Sequence, residues 1–342
     1  MRIAQIAPLI ERVPPKKYGG TERVIHALTE ELVRRGHDVT LFASGDSITS
    51  AKLSSVYPRG LRDAKLPDLY GSNVLSMLNI GLAYQRQSEF DIIHDHNGHL
   101  SLPTANLSSV PVIMTLHGNL TPADRRLYGA LRHPHLVGIS SSQITGTASM
   151  NCAGFVYNGL DLKDYPFSEE DDGYLLFVGR ISLEKGLHIA IEAAQYHNLP
   201  LIIAAKLDEV DLPYYEKYVA PRLSDEIRWV GEVDEGVRNR LMSRARCLLH
   251  PATWKEPFGL TMIEAQACGC PVIGYNRGSV PEVIEDGKTG FVVNDLEELL
   301  ESILKVDKIS RAECRQRALT RFTSEKMADG YEKIYNQFLS GS

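Results

Sequence analysis

The chain has 342 residues, 43% apolar and 23% charged, with 43 acids against 37 Lys and Arg for a formal charge of −6. At roughly 150 residues per domain that length suits two domains, each able to bury a core without covalent staples. The acidic balance argues against nucleic acid as the main partner, no apolar run reaches the roughly 18 residues of a membrane-spanning helix, and the opening MRIAQIAPLIERVPP is too short and too soon charged for a secretory signal.

The N-terminal half opens with Arg2–Ala7, an apolar run that reads as a buried strand. An irregular loop then ends in Gly19-Gly20-Thr21, ahead of an amphipathic helix over Thr21–Arg35 with Val24, Leu28 and Leu32 in register. Two glycines let the backbone approach a ligand, and the helix start offers N–H groups and a positive dipole end to a phosphate. A strand over Asp38–Ala43 follows. Ala51–Asp68 reads as an irregular, solvated loop with Lys52, Arg59, Arg62 and Lys65 against Asp63; contact with an anionic acceptor or a membrane surface is the alternative. Strands are then expected at Asp91–His94, Val112–Leu116 and Leu136–Ile139. The first runs into His94-Asp95-His96-Asn97-Gly98-His99, the second into His117-Gly118. Ligands of open parallel sheets bind beyond the carboxyl ends of strands. His96 and His117 are therefore expected to face one cleft, where neutral imidazoles can bond sugar hydroxyls. Histidines at i, i+2 also suit a metal, but no carboxylate pair of matching spacing accompanies them, and no metal is expected. His94, further back in the strand, is expected to be structural.

A Pro- and acid-rich stretch near residues 157–173 reads as the break between domains. The expected division is a first domain over 1–157, a linker over 158–172, a second domain over 173–321 and a final helical segment over 322–342, with the helix itself at Phe322–Phe338. Strands follow at Tyr174–Val178, Leu201–Ala204, Ile227–Val230, Cys247–His250, Val272–Gly274 and Gly290–Val293, with helices at Gly186–Tyr196, Asp234–Arg246 and Leu260–Cys268. Eleven strands are too many for one ordinary sheet of about four to six, so two α/β domains with parallel sheets are predicted. Arg180 and Lys185 fall just after the first strand of this half, a place for two cations to hold a diphosphate. Glu256 and Glu264 frame a strand-to-helix turn, Pro257-Phe258-Gly259, whose N–H groups from Phe258 to Thr261 form an anion nest. Glu264 shares a helix face with Thr261 and suits two adjacent hydroxyls, as on a ribose. Two other nucleotide motifs are absent: no G-x-G-x-x-G follows the first strand, and Asp286-Gly287-Lys288-Thr289 has Glu282 where a P-loop needs Gly, so it reads as a turn. The five cysteines form no CxxC pair and read as buried, reduced thiols.

Together these residues resemble a retaining glycosyltransferase of the GT-B fold, glycosyltransferase family 4, group 1 type. The resemblance runs over nearly the whole chain. It is carried by Tyr18–Glu22 (YGGTE), His94–Gly98, Thr115–Gly118, Val156–Asp161, Gly179-Arg180 to Lys185-Gly186, Trp229–Val233 and Glu256–Glu264. It implies two Rossmann-like domains facing across a cleft, with the C-terminal helix crossing back to the first. It implies transfer of a hexose from a nucleotide sugar, most often a UDP-sugar such as UDP-glucose, to a hydroxyl of a glycan or lipid-linked acceptor in polysaccharide synthesis. Retention, no metal, no cofactor beyond the sugar nucleotide, and a place in the cytoplasm or at the inner face of the membrane go with it. Carried over residue by residue, Arg180 and Lys185 grip the diphosphate, Glu256 binds donor-sugar hydroxyls and His117 sits near the transferred sugar. Gly19, Gly20, His96, Gly231, Phe258, Gly259, Leu260, Thr261 and Glu264 complete the donor site. The implied mechanism is same-face attack with a leaving phosphate oxygen as base. A sugar-nucleotide epimerase of this fold and a non-catalytic nucleotide-sugar sensor are the rival classes. The epimerase would turn over donor without acceptor, and the sensor would bind it without turnover.

Overall fold

The structure, a computed structural model, describes residues 1–17, 19–64 and 69–339. Tyr18 and Lys65, singled out above, lie outside the described residues. The chain divides into two units, Met1–Asp161 with Ser324–Ser342, and Leu162–Thr323.

The first unit is built on seven parallel strands: β1 Arg2–Ile6, β2 Asp38–Phe42, β3 Lys52–Ser54, β4 Ile92–Asp95, β5 Val112–Thr115, β6 His135–Gly138 and β7 Cys152–Phe155. Their order is β3-β2-β1-β4-β5-β6-β7, so the direction of winding reverses between β1 and β4. The central strands are buried on both faces, which is why they read as unbroken apolar runs. One expectation is corrected here. Part of the supposed loop Ala51–Asp68 pairs with β2 in register, Thr40 opposite Lys52, and forms the edge strand β3, and Leu61–Ala64 is helical. A three-residue, largely exposed edge strand carries too little apolar pattern to be legible. The helix Leu69–Gln85 contains no charged residue, and Val74, Met77, Leu78 and Leu82 on it are exposed. The final helix, Ser324–Leu339, belongs to this unit and buries Met327, Ala328, Tyr331, Ile334 and Tyr335, the stripe of a helix facing a core. Glu332 ties it to Arg35 and to His37 Nε2, the latter at 2.7 Å.

The second unit has six parallel strands: β8 Leu175–Arg180, β9 Leu201–Lys206, β10 Ile227–Gly231, β11 Cys247–His250, β12 Val272–Tyr275 and β13 Gly290–Val293. The order β10-β9-β8-β11-β12-β13 reverses between β8 and β11. Its core joins Leu175, Phe177, Ile203, Leu249 and Ile273 of the sheet to Leu187, Ile191 and Ala194 of the helix Leu187–His197, and to Leu299 and Ile303 of the helix Leu296–Lys305. Within the stretch read as a linker, the backbone beyond Leu162 is held to this unit: Arg315 donates to the carbonyls of Lys163 and Tyr165, and Arg311 to that of Ser168. Asp286–Thr289 is a turn closed by Gly287 N–H on the Gly290 carbonyl at 2.9 Å. Among the described residues, no helix is long and apolar enough to cross a membrane.

Candidate active site

In the second unit the loops after β8 and β11 leave the sheet on either side of its switch point, where open α/β sheets take their ligands. Arg180 ends β8, and a short turn over Leu183–Lys185 leads to Gly186 at φ 72°. A Cβ on Gly186 would lie 2.1 Å from the Pro251 carbonyl oxygen, so glycine is what lets the two loops touch. Thr253 N–H then donates to the Glu184 carbonyl at 2.8 Å and joins them.

That junction places Lys185 against Glu256. Lys185 Nζ donates to Glu256 Oε2 at 2.7 Å, Trp254 Nε1 donates to the same oxygen at 2.9 Å, and His250 Nε2 lies 3.4 Å from it. The ammonium also sits 5.0 Å from the Trp254 ring centroid, a cation–π contact. Glu256 is only 6% exposed. Burial pushes its carboxyl up, but the Lys185 ammonium and His250 outweigh burial and hold it well below the usual carboxylate range. Glu256 Oε2 is thus saturated, while Oε1 accepts no hydrogen bond among the described residues. Arg180 pairs with Glu184 and, through Nε at 3.4 Å, with Asp211.

After Glu256 the chain turns into the helix Leu260–Ala267 through Gly259, at φ 80°, where a Cβ would meet Met262 Cε at 2.5 Å. Among the described residues no side chain caps this helix, so the N–H groups at Leu260 and Thr261 open an anion site. The loop is strapped from behind: Ser279 N–H donates to the Glu256 carbonyl at 2.9 Å, and Ser279 Oγ to that of Phe258 at 2.8 Å. The Phe258 ring is buried edge-on against Phe322, leaving only main chain for a ligand. Glu264 is 1% exposed and accepts from Arg238 at 2.8 Å and from the Tyr165 hydroxyl at 3.4 Å. Gly231 ends β10 beside a bulge, while the neighbouring Trp229 indole turns inward to the Ala205 carbonyl at 2.8 Å.

In the first unit, Gly19 is buried and Gly20 begins the helix Gly20–Arg34, which no side chain among the described residues caps. His94, His96 and His117 form a cluster at the ends of β4 and β5. His96 Nδ1 meets His117 Nε2 at 2.9 Å, and His96 Nε2 meets Gln5 Oε1 at 2.7 Å. Both ring nitrogens of His96 are therefore engaged within the unit, whereas His117 Nδ1 makes no hydrogen bond among the described residues. His94 is fully buried, with Nε2 on Thr115 Oγ1 and Nδ1 on the Tyr335 hydroxyl, both at 2.7 Å.

Residues 162–321 match the family model for glycosyl transferases group 1, and residues 18–143 match that for glycosyltransferase family 4. The chain is a family 4 glycosyltransferase. Glycogen synthase of Mycobacterium tuberculosis is 29% identical to it, across 94% of this chain and 92% of that protein. The phosphatidyl-myo-inositol mannosyltransferase of the same organism is 28% identical, across 86% of this chain and 82% of that protein. The crystal structure of HepE from Anabaena in complex with UDP and glucose matches with a TM-score of 0.75 at 19% identity, over 98% of this chain and all of that one. The glycosyltransferase has the GT-B fold of such structures, two Rossmann-like domains on parallel sheets.

Several partners in this glycosyltransferase were not foreseen from sequence: Arg238 on Glu264, His250 and Trp254 on Glu256, Asp211 on Arg180, and Gln5 on His96. Only His250 carried a signal, as the polar last residue of an apolar strand; the others meet their partners through the fold.

The histidine cluster has a consequence for stability. Burial pushes His117 down to about 4 and holds His94 and His96 well below the ordinary imidazole value. The unfolded chain takes up these protons near pH 6.5, and the folded one does not until lower pH. Stability is thus fully present above about 6.5 and falls as pH drops towards 4, by at most about 1.4 kcal/mol per pH unit for each histidine. Urea melts at pH 7 and pH 5 test this. The circular dichroism midpoint of the first unit should drop. Fluorescence from Trp229 and Trp254, both in the second unit, should move less.

Proposed function

We propose that this glycosyltransferase moves a hexose, with retention and without a metal, from a UDP-sugar such as UDP-glucose to a hydroxyl of a glycan or lipid-linked acceptor. The observation that carries the reading is the Lys185 ammonium held 2.7 Å from the buried Glu256, beside an uncapped helix start and at a sheet's switch point. Negative charge grows on a departing diphosphate, and fixed cations and N–H groups stabilise it without reorganising. Lys185, Arg180 and the main chain of Phe258 to Thr261 supply them, which is the work a divalent ion does elsewhere. Glu256 Oε1 receives donor-sugar hydroxyls, Glu264 receives the ribose, and Gly231 borders the base. The second unit is accordingly the nucleotide-binding domain. In the first unit, Gly19 and Gly20 lead into a helix start suited to a phosphate, and His117 is suited to a sugar hydroxyl. The acceptor oxygen attacks the anomeric carbon on the face the diphosphate leaves. The carbon–oxygen bond to phosphate breaks, and the acceptor proton passes to the leaving phosphate oxygen.

UDP as the nucleotide is supported by the likeness to HepE, solved with UDP and glucose. An amphiphilic acceptor, and contact with the surface that carries it, are supported by the uncharged helix Leu69–Gln85 with its exposed Val74, Met77, Leu78 and Leu82. Incubation with UDP-, GDP- and ADP-sugars, with and without glycan or lipid acceptors and in the presence of a chelator, tests the proposal. Transfer or slow hydrolysis of a UDP-sugar is expected, undiminished by chelator, with the anomeric configuration of the donor kept in the product. A new sugar nucleotide formed without acceptor would replace the reading by an epimerase. Tight binding with no turnover would replace it by a sensor. Activity lost in chelator and restored by a divalent ion would end metal independence.

A further inference from the structure

We propose that Gln5 is a positioning residue which, acting through His96, fixes His117 in the tautomer that carries its proton on Nε2 and leaves Nδ1 bare as a hydrogen-bond acceptor. The bearing of that acceptor on the donor sugar rests on the function proposed above; the tautomer does not.

The register of the first sheet brings the group together. Gln5 of β1 lies opposite His94 of β4, and His96 and His117 follow the ends of β4 and β5. Gln5 is a fully buried amide in a strand whose other buried residues are Ile3, Ala4 and Ile6. A buried polar group of this kind is retained only with its hydrogen bonds made. Its carbonyl oxygen, 2.7 Å from His96 Nε2, has no proton to give, so His96 Nε2–H donates. A neutral imidazole carries one N–H, which leaves His96 Nδ1 as a lone pair. His117 Nε2, 2.9 Å away, must therefore donate to it, and His117 Nδ1 is left bare.

The carboxamide is held in this sense from its other end. Gln5 Nε2 faces His94 Nδ1 at 3.4 Å, and the Tyr335 hydroxyl donates to the same nitrogen at 2.7 Å. His94 Nε2–H then donates to Thr115 Oγ1 at 2.7 Å, and Thr115 meets the Tyr331 hydroxyl at 2.8 Å. The ring protons of His94, His96 and His117 follow from one choice, the Gln5 oxygen turned towards His96. Tyr331 and Tyr335 come from the final helix, so that helix holds the far end of the relay. Burial keeps the three rings uncharged near neutral pH, as the argument requires.

Side-chain 15N NMR of the full chain near pH 7, with no substrate present, reads the tautomer directly. His117 should show a protonated Nε2 and a bare Nδ1, with the same pattern on His96. A proton on Nδ1 of His117, a tautomer average or an imidazolium would overturn the proposal. Gln5→Met keeps the length but removes the oxygen, and should convert His117 to an averaged tautomer; an unchanged His117 spectrum in that variant would remove Gln5 from the role. If the variant does not fold, the wild-type spectrum still decides the tautomer. Turnover supplies the second readout. Asn places its amide oxygen near the position of Nδ1, whereas Gln reaches that of Nε2, so His117→Asn should keep about tenfold more kcat/KM than His117→Gln, the scale of one hydrogen bond. Equal losses in the two variants with the expected wild-type spectrum would overturn the placement of His117 at the donor and leave the relay standing.

Discussion

Lys185→Ala should lower kcat by about 10²–10³-fold, the loss usual for removing one preorganised donor that meets charge developing in a transition state. The same change acts on the fold, and the two effects must be separated. Lys185 is 19% exposed on its side chain and Glu256 is 6% exposed. Removing one partner of such a pair leaves the other charge in a poor solvent, which typically costs about 3–5 kcal/mol. Trp254 and His250 still face Glu256 Oε2, and Lys185 retains some water, so the lower end of that range is expected. A second substitution, Glu256→Gln, removes the stranded charge. The double variant should therefore unfold close to the wild-type midpoint, while its turnover stays at or below that of Lys185→Ala. Thermal melts and steady-state kinetics on the four members of the cycle measure both quantities. Near-normal kcat in a folded Lys185→Ala enzyme would show that the diphosphate is held elsewhere.

How much of this was legible depended on whether a feature is local. Strands such as β8 and β11 lie inside a parallel sheet, so LLFV and CLLH are apolar without alternation and stand out between polar helices. β3 and β7 are edge strands. β3, Lys-Leu-Ser, is three residues long and largely exposed, and β7, Cys-Ala-Gly-Phe, pairs small, half-buried side chains with an exposed Phe155. The helix Leu69–Gln85 escaped for the opposite reason: apolar residues lie on nearly all its sides, so it shows no period. The glutamate spacing of Glu256 and Glu264 is a local signal, because one strand-to-helix turn carries both. Their partners are not. Arg238 lies on the helix Glu235–Arg244 and meets Glu264 only once both helices pack on the sheet, and Lys185 reaches Glu256 only because Gly186 lets two loops touch. A sequence shows which residues could carry charge into a site, whereas the fold decides which of those charges are already neutralised there.

That distinction matters most at Glu264, where UDP affinity measured by calorimetry should fall about 10–100-fold in Glu264→Ala, the scale of one or two hydrogen bonds to a charged acceptor. Glu264 is 1% exposed and bonded to Arg238, itself 9% exposed with its buried Nε lacking a hydrogen bond among the described residues. Glu264→Ala leaves that guanidinium with the half-exposed Glu235 at 3.8 Å, so a loss of stability towards the lower end of about 3–5 kcal/mol is expected alongside the loss of affinity. Arg238→Met in the same chain should restore most of the stability, since a pair replaced by apolar groups of similar size is often neutral. It should not restore UDP binding, because the hydroxyls still lack their acceptor. Tyr165→Phe is the control: its hydroxyl reaches Glu264 Oε1 only at 3.4 Å and donates at 2.8 Å to Glu235, so affinity should change less than in Glu264→Ala. Arg238 is then the residue that holds the Glu264 carboxylate in place, through its bond to Oε1 at 2.8 Å. Unaltered UDP affinity in the stabilised double variant would place the ribose away from the helix Leu260–Ala267, and with it the nucleotide site.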